Sequence, residues 1–331
     1  MLLARWLLGF IAGTLIVAIT SPLFVRSYLP RQLNRGVMTL ATGLDYRWRS
    51  EGYATSSIGP LGMVGKTQRL RAPKIKIALW GDSQAEGTCV ADDQKIFALT
   101  ESLSDDQVEV FPLARSGDSL VDWLTQFPFA EQELDVDAHV ILVVELSDLV
   151  IEQRMLHSFP KDDAFSGIAE TVPAFVIHAA RKVLFQPNSL TPRDLRFSLG
   201  PVAVPAEPHA DTVDTTAFWN DSLLKIQEVA SRPVVLIYAP RVPQIMAGRV
   251  NVEDPDRESF AELESSIATS DFKSGIQLLN VQESQIESGA ANRWPHGFDN
   301  GQIGSGHLNV VGNSIIAERI VDHFAPDSSR E

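Results

Sequence analysis

A serine on a tight turn and a histidine close to the last helix are the residue types that together can move an acyl group. The hydroxyl attacks a carbonyl, the imidazole takes its proton, and nearby donors hold the oxyanion. Ser83 follows Lys74-Ile75-Lys76-Ile77-Ala78-Leu79-Trp80, where Ile75, Ile77 and Leu79 alternate with Lys74, Lys76 and Ala78 in a period that predicts a strand. Gly81 then permits a turn that a side chain would hinder. Ser83 is therefore expected at the carboxyl end of a strand, where open α/β sheets bind ligands, and at the start of a helix with free N–H groups. Alone, Gly81-Asp82-Ser83 is equally a turn with an N-cap. A loop histidine is ordinarily a packing or surface residue, and the chain has 7.

The elements that must position these groups repeat in alternation. Ile96, Leu99 and Leu103 form one helical stripe within residues 91–103, with Asp92 and Asp93 in its first turn. Val108 to Leu113 reads as a strand, the loop Ala114-Arg115-Ser116-Gly117-Asp118 follows, and Leu120, Trp123, Leu124 and Phe127 return to helical spacing. Val140 to Val144 is a continuous apolar run, as expected of a central parallel strand covered on both faces, and it ends in Glu145-Leu146-Ser147-Asp148. Further strands are expected at 234–238 and 276–281, with helices around 223–229, 255–267 and after His307. This alternation predicts a flavodoxin-like three-layer α/β/α sandwich of about five parallel strands. Prolines interrupt residues 156–215, read as a partly helical insertion whose best helix is Ala174 to Val183.

The chain of 331 residues, 44% hydrophobic and 21% charged, is sufficient for one large domain. A net charge of -14 argues against nucleic acid as a partner, because phosphate contacts need clustered Lys and Arg. The single cysteine, Cys89, excludes an intrachain disulfide and reads as a small buried filler. No His-x-His pair appears and Asp82, Asp118 and Asp148 are scattered singly, which argues against a metal phosphatase, and no Gly-x-Gly-x-x-Gly follows the first strand, so neither a metal nor a nucleotide cofactor is expected.

Residues 1–25 are apolar over a length that crosses a bilayer, and no clean small-x-small site closes the run, so an uncleaved anchor is expected rather than a signal peptide. Residues 26–72, with Tyr28, Tyr46, Trp48 and Tyr53 among arginines, read as a juxtamembrane stalk, and 73–326 as the α/β domain. Arg26, Arg31 and Arg35 after the span would, on charge alone, place the domain inside.

Taken in order, Gly81-Asp82-Ser83 with Gly87 and Val90, then Arg115-Ser116-Gly117, Glu145-Leu146-Ser147-Asp148 and Gly306-His307-Leu308-Asn309 with Gly312, resemble the blocks of the SGNH (GDSL) hydrolase family. The resemblance covers residues 70–155 and 230–325 and is nearest to the membrane-anchored bacterial branch linked to cell-envelope polysaccharide. It implies Ser83 as nucleophile, His307 as base, and an oxyanion hole from Ser83 N–H, Gly117 N–H and the side chain at position 147. Asp82, Arg115, Asp148 and Asn309 are expected on the substrate side. His139, at the head of a buried strand, reads as structural, and His296 as a substrate contact only. The resemblance also implies a single-pass inner-membrane protein with a periplasmic domain acting on an acylated glycan or other ester, with envelope assembly partners as further candidates. Domains of this size can translocate despite a few basic residues, so the expected orientation follows the resemblance.

Two positions depart from the family's pattern. Ser147 stands where an asparagine is usual, and Gly304 and Ser305 stand where the histidine-orienting aspartate is usual. Asp299, the nearest acid upstream, is the candidate orienter. Two readings stay open: a serine esterase or O-acyltransferase, and a catalytically degenerate domain that binds glycan or an assembly partner.

Overall fold

The computed structural model describes residues 2–151, 172–184, 215–246, 248–269 and 275–325. Helix α1 (Leu2–Phe24) leads into two small antiparallel pairs, β1 (Arg31–Asn34) with β2 (Val37–Leu40) and β3 (Asp45–Arg47) with β4 (Thr55–Ser57). The central sheet follows with β5 (Ile75–Trp80), a one-turn helix α2 (Ser83–Glu86), α3 (Ile96–Leu103), β6 (Val108–Pro112), α4 (Leu120–Glu133) and β7 (Ala138–Val143). Beyond it come α5 (Ala174–Leu184), α6 (Thr215–Val229), β8 (Val234–Tyr238), the short pair β9 (Gln244–Met246) and β10 (Arg249–Asn251), and α7 (Arg257–Thr269). β11 (Ile276–Asn280), α8 (Gln282–Ala290) and α9 (Val310–Phe324) complete the order.

The five strands run in the order β11-β8-β7-β5-β6, all pairs parallel. Connections leave β5 in opposite directions, so the space beyond its carboxyl end is a topological switch point where an open sheet leaves a crevice. Alternate residues of each strand enter opposite cores. Ala78, Trp80, Phe111, Ile141, Leu236 and Tyr238 pack with α4, α6 and α7, whereas Ile77, Leu79, Val110, Leu142, Val235 and Ile237 pack with α3 and α9. Burial on both faces explains why these strands read as near-continuous apolar runs.

His139 is structural: Trp80 Nε1 donates to its Nδ1 at 3.1 Å, Phe127 stacks on its ring, and Glu131 lies 3.1 Å from Nε2. The helix expected across 91–103 is broken at Lys95, whose extended backbone divides a 3-10 turn from α3. That lysine is buried and donates to the carbonyls of Gly87 and Val90, which holds it out of helical geometry. Of the insertion expected at 156–215, residues 172–184, with the helix Ala174–Leu184, and Thr215 at the start of α6 are described, and the rest lies outside the described residues.

Residues 26–72 do not stand off as a stalk. Ser56, Ile58, Met63, Val64 and Lys66 are buried against the α/β core. Arg35 donates to Leu61 O and Leu113 O at 3.1 and 3.0 Å. Lys66, 2% exposed, pairs with Glu101 and lies 3.7 Å from Glu109, itself 1% exposed. Removing one partner of such a group leaves the other charges buried and uncompensated. Lys66→Ala is expected to lower unfolding free energy by about 3–5 kcal/mol, measured by urea denaturation. An unchanged midpoint would mean the segment is not part of the folded unit.

Candidate active site

The serine turn is built by glycine and by capping. Gly81 has φ of 150°, and a Cβ there would lie 2.6 Å from that of Ala85 and 3.1 Å from Leu142 O. Asp82 caps α2, its Oδ1 accepting from Gln84 N at 2.9 Å, while its Oδ2 is 3.2 Å from Ser83 Oγ. Gly81 O accepts from Trp123 Nε1 at 3.1 Å and from Arg115 N at 3.3 Å, which pins the loop after β6 beside the serine.

The loop carrying the histidine is locked to the same turn. Leu308 N donates to Gln84 Oε1 at 2.9 Å. Gly297 N donates to His307 O and Gly304 N to His296 O, both at 2.9 Å. His307 Nε2 thereby stands 3.0 Å from Ser83 Oγ, across 224 residues of sequence.

Its other ring nitrogen meets a residue that sequence reasoning missed. Glu51 Oε2 lies 2.6 Å from His307 Nδ1, and Glu51 Oε1 accepts from His307 N at 2.7 Å. With the carboxylate on Nδ1, that nitrogen carries the hydrogen and Nε2 offers its lone pair to the serine hydroxyl. Asp299, the expected orienter, is exposed and lines a cavity with Tyr53, Cys89 and Phe298; the acid on the ring is Glu51. The physical reason lies at Gly306, with φ of 86°, where a Cβ would stand 2.0 Å from Glu51 Oε1. Glycine there leaves room for a carboxylate arriving from outside the loop. Gly52 is clamped in turn by Asn300, which accepts from Gly52 N at 2.8 Å and donates to Gly52 O at 3.0 Å.

Burial pushes the Glu51 carboxyl upward, but its hydrogen bonds from His307 and the nearby positive charge outweigh this and hold it below its ordinary value. Cys89 and Glu51 both raise His307, burial opposing them. Cys89 is buried as expected, and its sulfur falls within 4.8 Å of ligand atoms of Glu51 and His307.

The other expected residues divide. Gly117, at φ of 85°, and Ser147, on the 3-10 turn Leu146–Leu149, are exposed at the sheet edge that bears Ser83. Asp148 lies with Asp82 and Glu145 in a group whose carboxylate oxygens are all within 4.8 Å of one another. Arg115 is buried, with Nε and Nη2 each 2.8 Å from Asp118 and Nη1 donating to Met38 O, and it lines a cavity with Glu86, Thr88 and Ser116. Asn309 caps α9 through Val311 N and donates to Trp294 O and Gly297 O, so its side chain shapes the histidine loop. His296 is buried, faces Gln285, and burial lowers it to about 4, which makes it a neutral packing residue instead of a substrate contact. Arg241, on the loop after β8, pairs with Glu145. Burial raises Glu145, Arg241 opposes this, and Asp82 adds to it.

No family model and no curated protein matches the chain. Among solved structures, an acetyl xylan esterase, AlAXEase, matches at 14% identity and a TM-score of 0.41, covering 76% of this chain and 100% of that one. A catalytic mutant of an acetylxylan esterase from Geobacillus stearothermophilus matches at 11% identity and a TM-score of 0.40, covering 79% and 99%. A lipase/acylhydrolase from Enterococcus faecalis matches at 15% and 0.41, covering 75% and 94%. The chain is thus similar to ester hydrolases, and any role for it has to come from its own Ser83, His307 and Glu51.

Proposed function

We propose that the chain is a serine esterase or acyl-transfer enzyme acting on an acylated carbohydrate, tethered to a membrane by α1 with its domain in the periplasm. The observation that carries the chemistry is the hydrogen-bonded line from Ser83 Oγ through His307 to Glu51, at 3.0 and 2.6 Å. In this reading Ser83 Oγ attacks the ester carbonyl as its proton passes to His307 Nε2. Glu51 holds the Nδ1 hydrogen and stabilises the imidazolium without taking the proton. The N–H groups of Ser83 and Gly117 and the Ser147 hydroxyl are assigned to the developing oxyanion. A hydroxyl offers one donor where an amide offers two, and full loss of such a donor costs about 3 kcal/mol in the transition state. His307 then returns the proton to the departing alcohol. Water, or the hydroxyl of an acceptor sugar, takes the acyl group from Ser83 with His307 as base again.

The acyl-carbohydrate substrate is supported by the family resemblance of the sequence blocks. The membrane tether is supported by α1, the described helix long and apolar enough to cross a bilayer. The complete Ser–His–Glu line favours the enzyme over a degenerate binding module.

A serine-directed fluorophosphonate is expected to label the protein and to fail on Ser83→Ala, with absence of labelling on well-folded protein favouring the binding module. Glu51→Gln is expected to lower kcat for a small acetyl ester by ~10³–10⁴, since a mis-set tautomer costs that much in a triad. Asp299→Asn should leave the rate unchanged; the reverse pattern would reassign the acid. His307 must be neutral at Nε2 to accept the proton, and Cys89 and Glu51 raise it from its ordinary 6.5. Activity should therefore fall as pH drops, with the acid limb of kcat/KM centred above 6.5. Glu51→Gln should move that limb downward while lowering the plateau. A limb at or below the ordinary value in the parent protein would contradict this account.

A further inference from the structure

Helix α5 buries Ile177 and half-buries Phe175 but also carries apolar residues on its outer side. Ile177 is buried and His178 and Arg181 are half-buried, whereas Val176, Ala179 and Val183, at i, i+3 and i+7, are exposed along one stripe. Val176, Val183 and Leu184 are 41, 61 and 57% exposed. Single exposed hydrophobic residues are ordinary, but a continuous stripe on a two-to-three-turn helix marks an interaction face.

What surrounds the helix identifies the occupant. α5 packs against α1. Within α1 the residues removed from solvent are at its carboxyl end: Ser21 is buried and Ala18, Thr20 and Pro22 are half-buried, whereas Leu2 to Val17 are exposed throughout. Tyr28 Oη lies 3.3 Å from His178 Nδ1, and the guanidinium groups of Arg26 and Arg181 sit 5.2 and 5.7 Å from the Tyr28 ring centre. Lys182 is exposed beside the stripe. An apolar stripe flanked by basic and aromatic side chains, held against the last turns of a membrane-spanning segment, has the composition of a helix lying at the boundary between headgroups and acyl chains.

We infer that α5 lies in the interface of the bilayer that α1 spans, with Val176, Ala179 and Val183 toward the acyl chains and Arg181 and Lys182 among anionic headgroups. This rests on the reading of α1 as a membrane span. It adds a second contact that fixes how the domain is seated instead of leaving it to swing on one helix. Arg49, two residues before Glu51, ties the end of α1 to β4: its Nε donates to Pro22 O at 3.2 Å and its Nη2 to Thr55 Oγ1 at 3.1 Å.

The test uses the full chain in phosphatidylglycerol–phosphatidylethanolamine vesicles, with Cys89 left in place because it is buried. A fluorophore is attached to Val183→Cys, Val176→Cys, Leu15→Cys or Leu224→Cys, and doxyl lipids labelled near the headgroup or deep in the chain serve as quenchers. Leu224 is exposed on α6 and reports water. The expected result is quenching at 176 and 183 by shallow doxyl lipid about threefold or more above that at 224, with 15 quenched best by deep doxyl lipid. Lys182→Glu should weaken the shallow quenching at 183 in anionic vesicles and less so in zwitterionic ones. If 176 and 183 match 224 while 15 is quenched, α5 faces water and the inference falls with the anchor intact. If 15 is also unquenched, the membrane reading of α1 falls and the inference with it.

Discussion

The contact between Glu51 and His307, backed by the Asn300 clamp on Gly52, joins two parts of the chain that are 256 residues apart. A histidine in a Ser–His pair needs a fixed tautomer and rotamer, and both are set by whatever accepts from Nδ1. Here that acceptor is bidentate toward one residue: Oε1 takes the His307 backbone hydrogen and Oε2 faces the ring. The backbone bond fixes the carboxylate plane before the ring is considered, so the imidazole has one orientation that keeps Nε2 toward Ser83. Gly306 supplies the clearance, and the Asn300 clamp on Gly52 holds the loop at that distance.

The remainder of the site follows from where a parallel sheet leaves space. β5 and its neighbours end at one edge, and the loops after β5, β6, β7 and β8 deliver Ser83, Gly117, Ser147 and Arg241 respectively to that edge. The same edge carries Asp82, Glu145 and Asp148, and that density of carboxylates raises Glu145 by burial and by repulsion from Asp82. Arg241 offsets part of the charge through its pair with Glu145. The charge at that edge is therefore a cluster of three carboxylates with one arginine paired to it.

The sheet, the serine turn and the histidine block were legible because each is written in contiguous residues. The strand at Ile75, Gly81 with Ser83, and His307 before the stripe of α9 carry their signals within a dozen positions. Glu51 carries none of this kind, being 256 residues from its partner. Its neighbours Tyr46, Trp48 and Tyr53 fit an interfacial spacer as well as a docked hairpin, since aromatic and basic residues suit both. The available hint was negative: Gly304 and Ser305 stand where the resemblance implied an acid, and Gly306 beside them makes room for a carboxylate from elsewhere. Arg115 and Asn309 misled for the opposite reason. They fall inside the resembling blocks, yet one is paired with Asp118 and the other is occupied by the cap of α9 and two loop carbonyls.

The segment between α1 and β5 is thus both connector and machinery. Ser27 exchanges hydrogen bonds with Arg47 on one side of the acid loop, Arg49 reaches back to Pro22, and Arg35 and Lys66 fasten the segment to the core on the other. A buried lysine between two carboxylates and a half-buried arginine bonded to two carbonyls are costly to leave half-made, so the segment docks as a unit. The carboxylate that orients His307 therefore arrives only with the docked connector. Docking of the segment that leaves α1 and completion of the line from Glu51 through His307 to Ser83 are then one folding event, because the same residues do both.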